Sequence, residues 1–232
     1  RIVTLLLSSA FGDHPNKYLE IGSLRVDRIL STDKEFVKSK LGLEVNLKYA
    51  LFMPTYRKGY RSKQDGAQYD EEELFNELKR RLNLYGYALL IKPHPFVEDI
   101  WEERYSDIIT SKSLALNGLI TSDLLAMTDL LITDYSSLLI DYLVTGKPLI
   151  ILNLDKESYK SSLGFIFDVT KYLKANVATC LDDIDLLLSN IEIFRSKENA
   201  EDFLRSLYFD YLDSKSAVRL TKELKRLHPH VF

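Results

Sequence analysis

Cysteine is nearly absent from this chain of 232 residues, with Cys180 standing alone. A disulfide framework needs a pair of cysteines and a cysteine zinc site needs several, so neither is available. Long hydrophobic runs are absent too. Ile2 to Leu7 is far short of the roughly 20 apolar residues that cross a bilayer as a helix. Positive charge is not in excess: 31 Lys and Arg against 34 Asp and Glu give a formal charge of −3. That balance argues against a general nucleic-acid binder, which carries a basic field. No internal repeat, low-complexity tract or signal peptide is visible, in a chain that begins at Arg1. Neither a metal nor an organic cofactor is expected. Length and composition fit an intracellular enzyme domain with a substantial core.

What is present is a run from Asp129 to Leu152 with three readable parts. Leu130 to Ile132 is a short apolar run with the character of a buried strand, and Leu149 to Leu152 is another. Between them Ser136 to Thr145 reads as a helix, with Leu138, Leu139, Tyr142 and Leu143 at helical spacing and Gly146 as its stop. Strand, helix and strand in so few residues make a crossover unit of a parallel sheet. Thr133, Asp134, Ser136 and Ser137 fall at the carboxyl end of the first strand. In open parallel sheets that is where ligands bind, and where free N–H groups favour phosphate. Two readings of the serines stay open here, a pyrophosphate site and simple helix capping.

Other strand ends carry similar polar sets. Leu51 to Met53 runs into Pro54-Thr55-Tyr56-Arg57, and Tyr87 to Ile91 runs into Lys92-Pro93-His94-Pro95. If these strands are parallel neighbours, Arg57, Lys92, His94 and the serine pair converge on one rim around one anion. The remaining chain alternates strand and helix. Ile2 to Leu7 reads as a strand, Thr32 to Leu41 as a helix, and Glu71 to Leu84 as a helix with acids early and basic residues late. Ser122 is expected to cap a short helix through Ala126. Ile184 to Leu188 and Ala200 to Tyr208 read as helices. Asp213 or Ser214 caps a terminal helix whose apolar face is Val218, Leu220, Leu224 and Leu227. Such alternation indicates an α/β, Rossmann-like doubly wound parallel sheet. Asp141 is expected to face solvent, Tyr159 is open between core packing and ligand contact, and the basic stretch Tyr56 to Gly66 is open between a solvated loop and a surface for a polyanion.

Six blocks, in order, resemble the CDP-glycerol glycerophosphotransferases of teichoic acid and capsule assembly. They are Gly22-Ser-Leu-Arg25-Val-Asp27-Arg-Ile-Leu30, Phe52-Met-Pro54-Thr55-Tyr56-Arg57, Lys92-Pro-His94-Pro95, Thr133-Asp134-Tyr135-Ser136-Ser137, Asp155-Lys-Glu-Ser-Tyr159 with Gly164-Phe165, and Asp213 to Arg219. Leu24 replaces the family's proline, Ser214 its glycine, and Lys174-Ala175 its usual Pro-Gly. The resemblance implies a GT-B-type C-terminal domain, residues 31–232, preceded by a lead-in over residues 1–30. The family's Trp-His-Gly-Thr motif, with its proposed general base, has no counterpart before residue 22, so the N-terminal half of the enzyme is expected as a partner. His14, His228 and His230 read as surface residues.

The chemistry implied is phosphoryl transfer. An acceptor hydroxyl on a polyanionic surface polymer attacks the outer phosphorus of CDP-glycerol or a related polyol donor, and CMP leaves. By resemblance His94, Ser136 and Ser137 hold the pyrophosphate and Thr133 shapes the same loop. Arg57 and Lys92 would balance negative charge. Asp134, acceptor-only when ionised, suits ribose, cytosine or loop-positioning bonds, or is a turn residue. The alternatives are a GT-B glycosyltransferase with a nucleotide-sugar donor and a non-catalytic nucleotide- or polymer-binding module. The expected location is the cytoplasm, at the inner face of the bacterial membrane, with peripheral contact to it.

Overall fold

The computed structural model describes residues 2–56, 70–162, 168–191 and 199–230. Arg57, the basic stretch up to Gly66 and the pair Gly164-Phe165 lie outside the described residues. At the centre are five parallel strands: β1 (Lys48–Met53), β2 (Tyr87–Ile91), β3 (Leu130–Thr133), β4 (Leu149–Leu152) and β5 (Val177–Ala178). Their spatial order is β2-β1-β3-β4-β5, and Leu51 of β1 lies in register between Leu90 and Leu131. Successive side chains point to opposite faces. Tyr49, Leu51, Leu131, Leu149 and Ile151 enter one core cluster, while Ala50, Phe52, Leu130, Ile132 and Ile150 enter the other. Both faces are covered, which is why the strands read as unbroken apolar runs rather than alternating ones.

The α-helices used below are α1 (Ile2–Phe11), α2 (Leu24–Ser31), α3 (Lys34–Lys40), α4 (Glu71–Leu84), α5 (Glu98–Glu102), α6 (Ser111–Leu116), α7 (Thr121–Met127), α8 (Leu138–Tyr142), α9 (Lys156–Ser162), α10 (Asp182–Ser189), α11 (Asn199–Tyr208) and α12 (Ser216–Leu227). Ile29, Val37, Leu114, Leu124, Met127, Leu139 and Leu204 cover one face of the sheet. Leu74, Phe75, Leu78 and Leu82 of α4, Trp101 of α5 and Ile184 of α10 cover the other. The doubly wound arrangement expected from the alternation is present. α4 begins where Asp70 accepts a hydrogen bond from the Glu73 N–H, an N-cap followed by three acids that suit the helix dipole.

Several local expectations are corrected. Ile2 to Leu7 is not a strand but the first part of α1, with Leu5 and Phe11 largely exposed. An apolar run of six residues carries too little period to separate strand from helix. Continued through Ser8 to Phe11 it reaches 10 residues, beyond the commonest strand length of about five or six, and Leu5, Leu6, Leu7 and Ala10 are good helix formers. Ser122 does not cap α7; it is buried inside it, and Asp123 accepts a hydrogen bond from the Ile120 N–H instead. The helix after Ser136 is shorter than its pattern, running Leu138–Tyr142 and tightening into a 3₁₀ turn, Leu143–Thr145, that ends at Gly146 with φ +61°. Asp141 does not face solvent; it is buried. The apolar stripe of α12 is only partly covered, with Val218 and Leu227 exposed.

The first and last sequence blocks dock on one another. Asp27 accepts hydrogen bonds from Ser216 Oγ at 2.7 Å and from the Ala217 N–H at 3.1 Å, so a carboxylate of α2 caps α12. Asp213 accepts from the Lys215 N–H and pairs with Arg219, and Ser214 between them adopts φ +55°, a conformation glycine adopts without strain. Gly22 has φ +95°, and a Cβ added there would stand 2.3 Å from Ser216 Oγ. Gly22→Ala is therefore expected to destabilise the chain by roughly 2–4 kcal/mol, backbone strain plus loss of the Asp27 hydrogen bond. Gly118→Ala is the comparison, because Gly118 also has positive φ but open space at its Cβ. Urea unfolding that finds equal losses for the two would remove the docking contribution.

Candidate functional site

The chain passes from β1 to β2 on one side and returns to β3 on the other, so strand order reverses at β1. In open α/β sheets the crevice at such a reversal, beyond the strands' carboxyl ends, is where ligands bind. Here the ends of β1 and β3 are stitched together. Thr133 Oγ donates to the Met53 carbonyl at 2.6 Å. Asp134, 1% exposed, accepts from the Thr55 N–H at 2.8 Å and from Thr55 Oγ at 2.9 Å. Both groups are thus engaged below the rim, where they set the course of the loop after β1.

The end of β2 is held differently. The Lys92 N–H continues the ladder to the Phe52 carbonyl, and its side chain turns inward with 2% exposure. Its ammonium donates to Glu98 Oε1 at 2.8 Å and to Ser111 Oγ at 3.2 Å. Glu98 also accepts from the Ser111 N–H at the start of α6. Burial opposes the Glu98 charge, but the hydrogen bonds from Lys92 and Ser111 outweigh it and hold the carboxyl below the ordinary glutamate range. The free cation expected at Lys92 is thus an internal ion pair that anchors the loop carrying His94.

His94 is half-buried, and its Nδ1 accepts a hydrogen bond from the Phe96 N–H at 3.3 Å. Its ring packs against Tyr56 at 5.8 Å and Phe96 at 4.9 Å between centroids. Burial, assisted by the charge on Lys92, pushes the imidazole below the ordinary histidine value. A neutral ring with Nδ1 as acceptor carries its proton on Nε2, so His94 presents an N–H donor. Ser136 Oγ accepts from the Leu138 N–H at 3.3 Å, while Ser137, the N-cap of α8, makes no side-chain capping bond; it is exposed and its hydroxyl has no partner among the described residues. With α8 only five residues long its dipole is modest, so N–H groups and hydroxyls carry any anion affinity there. On the far side Tyr135 donates to Asn153 Oδ1 at 2.7 Å and its ring lies 4.4 Å from that of Tyr159 in α9.

The carboxyl ends of the strands therefore carry His94, Ser136 and Ser137 along one rim, with Tyr56, Phe96, Tyr135 and Tyr159 beside them and the buried Thr133 and Asp134 beneath. Lys92 belongs to the layer beneath, and Arg57 lies outside the described residues. Sequence reasoning did not find the carboxylates that complete this frame. Arg25 pairs with Asp141 at 3.2 Å, and Arg28 pairs with the fully buried Asp123 at 2.5 Å. The spacing of Arg25, Asp27 and Arg28 on α2 was the available signal, since each reaches a different element. Among the described residues no group of three or more His, Cys, Asp or Glu could hold a metal ion, and no helix is long and apolar enough to cross a membrane.

The family model for CDP-glycerol:poly(glycerophosphate) glycerophosphotransferase matches residues 1–225. The chain belongs to this family. Its relatives include a teichoic acid poly(ribitol-phosphate) polymerase of Bacillus spizizenii, 29% identical over 225 residues, which cover 94% of this chain and 35% of the polymerase. A teichoic acid glycerol-phosphate primase of Bacillus subtilis is 28% identical over 188 residues, 81% of this chain and 46% of the primase. Among solved structures, the wall teichoic acid polymerase TagF superposes with a TM-score of 0.75 at 23% identity, over 99% of this chain and 57% of that one. This family member thus shares the fold of TagF, GT-B-like in its parallel α/β sheet, and spans less than half the length of those two curated relatives.

Proposed function

We propose that this glycerophosphotransferase-family chain holds the nucleotide donor of a polyol-phosphate transfer. In that reaction a hydroxyl oxygen of the acceptor polymer bonds to the outer phosphorus of CDP-glycerol or CDP-ribitol. The bridging P–O bond breaks, CMP departs with the electron pair, and the hydroxyl proton passes to a base. The observation that carries this reading is the rim at the strand-order reversal, where a neutral His94 and the exposed Ser137 hydroxyl stand on a frame of buried pairs. His94 Nε2–H and the N–H and hydroxyl groups of Ser136 and Ser137 donate to the pyrophosphate and stabilise charge on the outer phosphoryl group. Thr133, Asp134 and Lys92 act by positioning, and Arg57 adds a guanidinium.

Residues 31–232 form the donor-binding domain in this proposal, residues 1–30 the lead-in, and the facing half of the enzyme supplies the base and the acceptor surface. The work is done in the cytoplasm, at the inner membrane face where the polymer grows. Calorimetry with CDP-glycerol is the test. Saturable binding that Ser137→Ala weakens roughly fivefold to tenfold, the worth of one hydrogen bond to a charged group, is expected. Binding of nucleotide sugars in preference to CDP-polyols would favour a glycosyltransferase and sink the assignment.

A further inference from the structure

Phe96 is 77% exposed, so the hydrophobic effect does little to explain a phenyl ring at that position. What the ring touches is His94 and Tyr56. Its centroid lies 4.9 Å from that of His94 at an interplanar angle of 65°, and 5.6 Å from that of Tyr56 at 84°. Tyr56 and His94 are themselves 5.8 Å apart, so the three rings close a triangle with every side at aromatic-pair distance. Two corners come from the loop after β2 and one from the loop after β1, and the triangle ties these neighbouring strand ends together. The backbone sets it up. His94 is extended, with φ −65° and ψ 141°, and Pro95 opens a 3₁₀ turn, Pro95–Val97, with its fixed φ. The turn brings the Phe96 N–H back to His94 Nδ1 at 3.3 Å, longer than a strong hydrogen bond and a weak restraint by itself. The last torsion of a histidine has broad wells. A half-turn of the ring would put a carbon where Nδ1 meets the Phe96 N–H, and another where Nε2 carries its proton. Contact with two neighbouring rings opposes that turn.

We propose that Phe96 is a positioning residue whose ring, with that of Tyr56, holds the His94 imidazole in the orientation that aims Nε2–H across the rim. Its part in the reaction rests on the reading of His94 as a phosphate donor, and it acts through His94 rather than on substrate. An aromatic pair of this geometry biases one ring orientation over another by roughly threefold to tenfold. The same ring keeps water from one side of the imidazole. Among the described residues the charged groups that act on His94 are Lys92, which with burial depresses its basicity, and Glu98, which opposes both. Tyr56 is the titratable side chain that faces it from the loop after β1.

The test is imidazole NMR on the full 232-residue chain, which has four histidines. His94→Gln identifies the His94 signals by their loss. The parent is expected to show one His94 tautomer, with its proton on Nε2, titrating below the ordinary histidine value. Phe96→Ala is expected to mix the two tautomers and move the titration toward the ordinary value. Phe96→Tyr keeps an aromatic edge and is expected to behave as the parent does. In the active transferase Phe96→Ala is expected to lower kcat roughly threefold to tenfold with the acceptor KM unchanged, and Phe96→Tyr to restore the rate. His94 spectra unchanged in Phe96→Ala overturn the proposal, and a rate loss beside unchanged spectra would put the phenyl ring against substrate instead. Altered spectra with an unchanged rate support the positioning and sink the phosphate-donor reading of His94, so the two fail separately.

Discussion

Replacing His94 with alanine in the active transferase is expected to lower turnover roughly 30- to 900-fold, the equivalent of about 2–4 kcal/mol of transition-state stabilisation. The imidazole stands half-buried at the rim, its Nδ1 occupied by the Phe96 N–H, so what it offers is a single Nε2–H donor. Such a donor, fixed before charge develops on the phosphoryl oxygens, is worth more than the same bond in water because it reorganises little during the reaction. Stability is expected to change little, since the ring touches the exposed Phe96 rather than the core. The ring is already neutral around pH 7, its basicity reduced by burial and by Lys92. Protonation of His94 is therefore expected to affect the rate only below the ordinary histidine range. His94→Gln, which retains an N–H donor, is expected to recover part of the loss. Steady-state rates across pH for the three proteins check this, and a His94→Ala enzyme of normal rate would return the residue to a loop position.

The sheet was legible because its strands are buried on both faces. Leu130 to Ile132, Leu149 to Leu152 and Tyr87 to Ile91 are short apolar runs closed by polar or turn residues, and no competing period obscures them. Amphipathic α4 was equally plain, its boundaries marked by Asp70 and the acids after it. α1 was not, since six apolar residues fit a strand or a helix and only the tertiary setting decides. The rim could be anticipated because parallel neighbours bring their carboxyl ends together, a consequence of topology rather than of any one residue. What each polar group does there was hidden. Lys92 and Asp134 look like ligand-binding residues in sequence, yet the partners that occupy them, Glu98 and Thr55, are six and 79 positions away. Asp141 shows the converse, because its helical spacing gave no hint that Arg25 and a cavity would enclose it.

Glu98→Ala is expected to destabilise the fold by roughly 3–5 kcal/mol, because it strands the Lys92 ammonium in a site only 2% exposed and removes the acceptor of the Ser111 N–H. The Glu98 carboxyl is held below its ordinary value of 4.5, so its contribution is complete above that pH and is lost as pH falls through the lower folded-state value. Acid unfolding of the parent is thus expected to lose an increment that the variant lacks. The double variant Lys92→Met with Glu98→Leu separates two roles for the lysine. Apolar residues of similar volume often replace a buried ion pair at no net cost, so the double variant is expected to regain most of the lost stability. If Lys92 works by anchoring the His94 loop, donor affinity in the double variant stays within about threefold of the parent, a cost below 1 kcal/mol. A hundredfold loss of affinity in a stably folded double variant would instead mean that the ammonium leaves Glu98 and reaches the phosphate. Denaturant titration and donor calorimetry on the same three proteins decide between these, since the first reads the pair and the second reads the charge.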